Sequence, residues 1–462
     1  MDLVLVQGEE HLQEILSEDI EEWRIFLHPY QRKLVEWDTK GPMKIFGAAG
    51  TGKTVALMHR AAWLGHQCEG DEKVLITTYT TNLSVTIKGL MAKLAPGVVD
   101  RIEVTNLHQL ARTICFRAQG QAKIAEPDDL KAVWRQVMTT PAATDVGFSP
   151  DFIREEFEQV IDPMGITIED DYLTMVRSGR PVLRRKQRRQ LWKLFVEARR
   201  QLEYRRLVTF DGLIHQARLV AEKGKFPGYR YVLVDETQDF GLEALRLIAA
   251  ISPIKEGLRN PLCVVGDGHQ RIYTTVPVPM ARAGIDVRGR SRRLKINYRT
   301  SEEIRDWAHG VLQGMTIDDL DGEDVLTQGD RSVFHGPKPR LVKCASDDQM
   351  AEAAVTWVQG LIESGEIATH EICLTPPNSK VINALESNGL GTVELKARQA
   401  DPGQEEGGIR FGTKKRIKGL EFKALAILDF GDSEDLLARF ENYVAATRAR
   451  QQLLVVTRDA GE

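Results

Sequence analysis

The octapeptide GAAGTGKT, Gly47 to Thr54, restricts this chain more than any other stretch. It matches the phosphate-loop pattern G-x-x-x-x-G-K-[ST] at every fixed position. It lies between an apolar run, MKIF, and a helical run, VALMHRAAWL. A strand, a glycine-rich turn and a helix in that order aim main-chain N–H groups and the positive end of a helix dipole at one point. Gly47, Ala48, Ala49, Gly50, Thr51 and Gly52 would wrap a polyphosphate with backbone donors. Lys53 would bridge its β- and γ-phosphates, and Thr54 would hold Mg²⁺. The expected ligand is ATP with Mg²⁺.

Such a loop belongs to an α/β domain with a parallel sheet, and short apolar runs alternating with helical periodicity agree with that. Strands are expected at Met43–Phe46, Val74–Thr77, Tyr231–Val234, Leu262–Val265, Arg340–Val342, Ile372–Thr375, Ile409–Gly412, Ala424–Leu428 and Leu453–Val456. Continuous apolar strands followed by helices imply sheets covered on both faces. Residues 112–207 differ. Leu191, Leu194, Phe195 and Ala198 repeat at helical spacing, with no clear strand nearby. At 462 residues the chain exceeds one ordinary domain. The expectation is a first α/β domain at 1–111 and 208–290, a basic helical insertion at 112–207, and a second α/β domain at 291–462.

YVLVDETQDF, Tyr231 to Phe240, is an apolar strand that ends in adjacent carboxylates. Behind a phosphate loop, that pair divides two tasks. Asp235 would hold the Mg²⁺ shell, and Glu236 would polarise the attacking water. An isolated acidic pair after a strand is ordinary; the upstream loop makes this one chemical.

Bulk properties exclude several classes. No apolar run is long enough to span a bilayer. The acidic start, MDLVLVQGEEHLQEILSED, has no basic stretch or cleavage site for export, so a cytoplasmic location is expected. The five cysteines are scattered without a CxxC pair, which speaks for plain thiols rather than a zinc or iron–sulfur site. Net charge is −4, a weak argument against a nucleic-acid partner. Charge is local, however: Arg184–Arg206 holds ten basic and two acidic residues. That run reads equally well as a nucleic-acid-facing helix or as a solvated face paired with the acidic run Glu155–Asp171.

Taken with DETQD, the segments VVGDGHQRIY (Val264–Tyr273), INYRTSEEI (Ile296–Ile304), KGLEF (Lys418–Phe422) and YVAATRAR (Tyr443–Arg450) resemble, in order and spacing, the UvrD/Rep/PcrA helicases of superfamily 1. The resemblance covers the chain outside the helical insertion. It implies two RecA-like P-loop NTPase domains and a motor that moves 3′→5′ on single-stranded DNA, with RNA left open. It also implies roles. Gln31, in LHPYQRKLV, would read the adenine edge, since an amide both donates and accepts. Tyr298 would stack on the base, and Glu421 would lie near the ribose. Gln270 would report the γ-phosphate to the nucleic-acid side. Arg299 and Arg448 would be two arginine fingers from the second domain, stabilising transition-state charge.

The same resemblance outlines a nucleic-acid track of aromatic platforms and backbone contacts. Tyr79 and Tyr273 would stack on bases. Asn82 would make a polar contact, and Thr105, His108, Thr413, Lys415 and Lys418 would contact phosphate or sugar. For both tyrosines the competing reading is core packing.

Four departures from the pattern stand out. Val55 follows the loop threonine where an arginine is usual, which loosens adenine selectivity. Thr275 replaces a tryptophan platform, and Lys415 replaces a histidine. Between Arg299 and Gly412 there are only enough residues to finish an α/β domain, so the large insertion of longer relatives is missing or vestigial. ATP turnover and translocation should survive this, whereas strand separation is in doubt. Similar spellings occur in larger proteins beside nuclease or toxin-like domains, which implies a protein partner supplying such an activity. The rival function is a nucleic-acid-stimulated ATPase that clamps or senses DNA in a genome-defence or toxin-associated complex.

Overall fold

The central strands of the chain are built around apolar runs, and the structure shows why. In the computed structural model they form the middle of two six-stranded sheets, with every pairing parallel. The structure describes residues 27–458, except 120–122, 145, 178–180, 273–277, 316, 322–329, 397–398, 400 and 432–434. The first sheet contains β1 (Met43–Gly47), β2 (Val74–Thr78), β3 (Ile102–Asn106), β4 (Tyr231–Val234), β5 (Leu262–Gly266) and β6 (Ser291–Leu294). Its spatial order is β3-β2-β4-β5-β1-β6. Every residue of β2, β4 and β5 is buried, as expected for strands with helices on both faces. Parallel strands align their carboxyl ends, so the loops after β1, β4 and β5 share one edge of the sheet, where α/β folds bind ligands.

The second sheet contains β7 (Arg340–Cys344), β8 (Ile372–Thr375), β9 (Thr392–Glu394), β10 (Ile409–Phe411), β11 (Phe422–Phe430) and β12 (Ala449–Arg458). Its order is β7-β12-β11-β8-β10-β9. All nine expected strands are present. β3, β6 and β9 were not expected, and all three are edge strands. An edge strand keeps one side near water and tolerates polar residues; SRRL in β6 and TVE in β9 carry no apolar run. β6 also corrects a boundary. Ser291–Leu294 pairs with β1, so the first domain extends past residue 290.

The insertion is helical but not strand-free. Lys123–Ile124 pairs with Leu207–Val208 and closes its base. Helix Arg185–Tyr204 buries Leu191, Trp192, Leu194, Phe195, Ala198 and Leu202. These side chains belong to one apolar cluster with Val232, Val234 and Leu245, so insertion and first domain share a core. The basic run divides between uses. Arg188 donates to the carbonyls of Tyr172 and Met175 at 2.8 Å each. Arg199 lies over the rings of Phe157 and Trp192, and Arg200 pairs with Glu197. Arg184, Arg185, Lys186, Arg189, Lys193, Arg205 and Arg206 are exposed. Within the acidic run, buried Glu156 pairs with Arg177. All five cysteines are buried thiols. Among the described residues no helix is long and apolar enough to cross a membrane.

Candidate functional site

The turn after β1 is built around two glycines in the left-handed region. At Gly50, with φ +77°, a Cβ would stand 2.2 Å from Asn297 Oδ1. At Gly52, with φ +78°, it would stand 2.5 Å from Gln31 Nε2. Both positions need glycine for conformation and for space. Gln31 is 2% exposed. Its amide donates to Thr51 O at 2.9 Å and accepts from His28 N at 3.1 Å. It thus braces the loop while keeping one donor and one lone pair free. Lys53 Nζ donates to Gly47 O and Ala48 O, both at 2.8 Å, and lies 3.8 Å from the Asp267 carboxylate. Burial pushes the Lys53 ammonium below its ordinary pKa, while Asp267 and Glu236 pull the other way.

At the end of β4, Asp235 Oδ2 accepts from Thr54 Oγ1 at 2.7 Å. Burial, and then the neighbouring Glu236, push Asp235 up to about 6. Thr54 and Asp235 offer hard oxygens beside the phosphate loop, and that donor set suits Mg²⁺. Glu236 adopts φ 54°, a left-handed conformation that a non-glycine residue rarely takes. Its backbone N–H is held by Asp235 Oδ1 at 2.8 Å, and its side chain is bonded by Gln238. Burial raises the Glu236 pKa, but Lys418, Lys53 and Arg448 outweigh it and hold the group ionised.

One pocket draws on both domains. His28, Gln31, Lys53, Thr54, Val55, Glu236 and Gln270 meet Tyr298, Arg299, Gly419, Glu421 and Arg448 there. The NYRT segment enters it through a side-chain turn: Asn297 Oδ1 accepts from the backbone of Arg299 at 2.8 Å and of Thr300 at 3.2 Å. Tyr298 N donates to Gly50 O at 2.9 Å, which joins this turn to the phosphate loop. The Tyr298 ring lies 5.2 Å from that of His28. Arg299 pairs with Glu421 at 2.5 Å. Arg448 is 1% exposed and donates to Gln270 Oε1 at 2.9 Å. Burial and the nearby Arg299 lower Arg448 to about 10, so the two guanidiniums converge. Gln270 Nε2 in turn donates to Asp267 Oδ2 at 2.7 Å.

Lys418 is a correction. It was expected on the nucleic-acid track, but it is buried between the domains. Its ammonium meets Asp239, donates to Gln270 O at 2.8 Å and lies 3.4 Å from Glu236. A buried cation needs nearby carboxylates, and those belong to the chemical site.

The remaining track residues lie on several elements. Tyr79, after β2, is half-buried against the core and meets His108 edge-on at 5.7 Å and Phe240 at 6.1 Å. His108, lowered by burial to about 4, meets Phe210 at 4.9 Å. Phe210 is 40% exposed. It extends this aromatic row outward and was not singled out from the sequence; a lone phenylalanine at a helix start carries no local signal. Asn82 Nδ2 donates to Gln399 O at 2.8 Å, across to the second domain. Thr105, at the end of β3, is half-buried. Thr413 and Lys415 are exposed, and Lys415 Nζ lies 3.5 Å from Glu441. Tyr273 and Thr275 lie outside the described residues.

Residues 27–274 match the family model for the UvrD/REP helicase N-terminal domain. Over 482 residues the chain is 24% identical to DNA helicase IV of Escherichia coli, covering 92% of this chain and 67% of that protein. Identity to the ATP-dependent DNA helicase UvrD1 of Mycobacterium tuberculosis is 23% over 454 residues, 89% of this chain and 53% of that one. For the ATP-dependent DNA helicase PcrA of Staphylococcus aureus the figures are 25% over 258 residues, 51% and 32%. The chain therefore spans between about a third and two thirds of the length of these relatives. A phosphate loop, an acidic strand end and a two-domain pocket agree with the family match over more than half of the chain: this protein belongs to the UvrD/REP helicase family.

Proposed function

We propose that the chain is a motor that hydrolyses Mg-ATP to move 3′→5′ along single-stranded DNA. The observation that carries this reading is a set of buried polar contacts crossing from one domain to the other. Asp267 holds Gln270, Gln270 holds Arg448, and Lys418 bridges to Asp239. Groups that would touch the γ-phosphate are bonded to groups that move with the second domain. Phosphate chemistry and domain position therefore bias one another. DNA as the substrate rests on the names of the relatives, and the direction rests on the resemblance of the motifs.

Within this reading each side chain has a task. Lys53 exchanges its two carbonyl partners for phosphate oxygens. Thr54 and Asp235 would hold Mg²⁺, and the ion would supply charge neutralisation to the phosphates. Glu236, kept ionised by three cations, accepts a proton from the attacking water. Arg299 and Arg448 stabilise charge on the transferring group. Gln31, Tyr298 and Val55 border the base, and Glu421 restrains Arg299. Tyr79, His108 and Phe210 form the stacking side of the track. Asn82, Thr105, Thr413 and Lys415 supply polar contacts.

The test is the ATPase rate with no nucleic acid, single-stranded DNA, single-stranded RNA and duplex, run beside translocation and strand-displacement assays. Stimulation by single strands with directional movement upholds the motor. ATP-dependent binding with neither movement nor displacement assigns a clamp or sensor instead, the reading favoured by the span between Arg299 and Gly412. The described residues there build one α/β domain and no further one.

A further inference from the structure

Next to Asp267, three rings from different elements meet. His269 belongs to the turn after β5 and is 4% exposed. His309 lies on helix Glu302–Val311, and Tyr443 lies fully buried on helix Leu436–Ala446, both in the second domain. The His269 and His309 rings stack at 6.0 Å and 19°. Tyr443 packs against both, at 5.7 Å and 6.0 Å. Neither His269 Nε2 nor His309 Nε2 has a hydrogen-bond partner among the described residues, so ring packing holds the contact together. Burial, and then the neighbouring His269, lower His309 to about 4, which keeps its ring uncharged at neutral pH.

The contact is connected on its inner side. His269 Nδ1 is bonded to Asp267 Oδ1 at 2.7 Å. The other oxygen of Asp267 accepts from Gln270 at 2.7 Å and lies 3.8 Å from Lys53. One carboxylate therefore positions the loop lysine, the glutamine bound to Arg448, and a ring clasped by the second domain. Ala49 of the phosphate loop and Ile272 pack into the same second-domain cluster as Ala308 and Tyr443, so apolar side chains flank the rings.

We infer that the His269–His309–Tyr443 contact is a positioning device for hydrolysis: docking of the two second-domain helices on His269 orients Asp267, and through it Lys53 and Gln270. These three rings touch no reacting atom; they act through Asp267. The inference rests on the ATP-hydrolysing reading above and adds a contact between rings to the polar connections already described between the domains.

The experiment compares wild type, His309→Ala and His309→Phe in steady-state ATP hydrolysis with an oligodeoxythymidine. Loss of one ring contact should lower kcat about three- to tenfold. KM for ATP should change less than kcat, because the base contacts of Gln31 and Tyr298 and the backbone donors of the phosphate loop do not run through Asp267. Phenylalanine restores a ring without a titrating group and should recover most of kcat. A role confined to stability would lower the melting temperature and leave kcat of the folded protein intact. That result, or a phenylalanine variant no better than alanine, overturns the inference. If the alanine variant does not fold, His309→Asn keeps a polar side chain without the ring and takes its place, with the same two outcomes. Wild-type turnover unaffected at His309 sinks the positioning role alone. A wild type that does not hydrolyse ATP sinks the proposed function and this device with it.

Discussion

Lys53 illustrates how residue-scale chemistry is prepared. Its ammonium already has carbonyl partners at 2.8 Å, so a phosphate replaces contacts rather than finding a bare charge. Lys53→Ala should abolish hydrolysis. Glu236→Gln keeps the shape but cannot take a proton, so nucleotide binding should persist while phosphate release stops. Binding measured with a fluorescent nucleotide beside phosphate release checks both; near-normal turnover in Glu236→Gln would remove that residue from the base role. The arginines make a paired case. Arg299 and Arg448 are close enough for one to lower the pKa of the other. Each exchange to alanine should cut turnover by roughly 10³–10⁵ with little change in nucleotide affinity. On the proposal that they serve one transition state, the double variant should lose far less than the product of the two. Fully multiplicative losses in single-turnover assays would mean that they do not act on one phosphate.

At the scale of elements, the ends of β2 and β3 and the start of helix Phe210–Glu222 bring Tyr79, His108 and Phe210 into one row. Tyr79 is half-buried, packed against the core on one side. Tyr79→Ala should weaken single-strand binding by about 1–3 kcal/mol, and cost less stability than the roughly 3–5 kcal/mol of a fully buried aromatic. Strand affinity and melting temperature of the same variant decide; a stability loss with unchanged affinity would return Tyr79 to the core. His108 gives the row a pH signature. Its folded pKa of about 4 lies below the unfolded value of 6.5. The unfolded chain therefore gains a proton first as pH falls, so stability is complete above pH ~6.5 and is lost between there and pH ~4. At pH 5 the loss is about 2 kcal/mol. His108→Gln should flatten that acid slope in chemical denaturation at pH 7.5 and pH 5; an unchanged slope would show that this imidazole is not desolvated.

For the whole molecule, the joint between the domains matters more than either sheet. Lys418 crosses it to Asp239, 179 residues away in the chain. Lys418→Ala would strand that carboxylate and should cost about 3–5 kcal/mol, together with turnover. The salt dependence of strand binding should not move. Lys415, exposed on the same loop, predicts the reverse: the log–log salt slope of strand affinity should flatten by about 0.7 on exchange to alanine, with stability nearly unchanged. Salt titrations and denaturation of the two variants separate the roles, and a flattened slope in Lys418→Ala would put that lysine back on the track.

What the sequence alone determined is local or repetitive. Eight consecutive residues make a phosphate loop because its geometry is set by backbone turns within one stretch. The central strands are legible because burial on both faces demands unbroken apolar runs, and motif order carries the family. The edge strands β3, β6 and β9 escaped because a strand with one wet side looks like a loop. The short ladder Lys123–Ile124 with Leu207–Val208 escaped because two residues have no period. Lys418, Phe210 and the His269–His309 stack could be placed only by the tertiary structure. Each takes its meaning from partners distant in the chain, and a lysine, a phenylalanine or a histidine carries no mark of whether it will meet water, a carboxylate or another ring once the domains close.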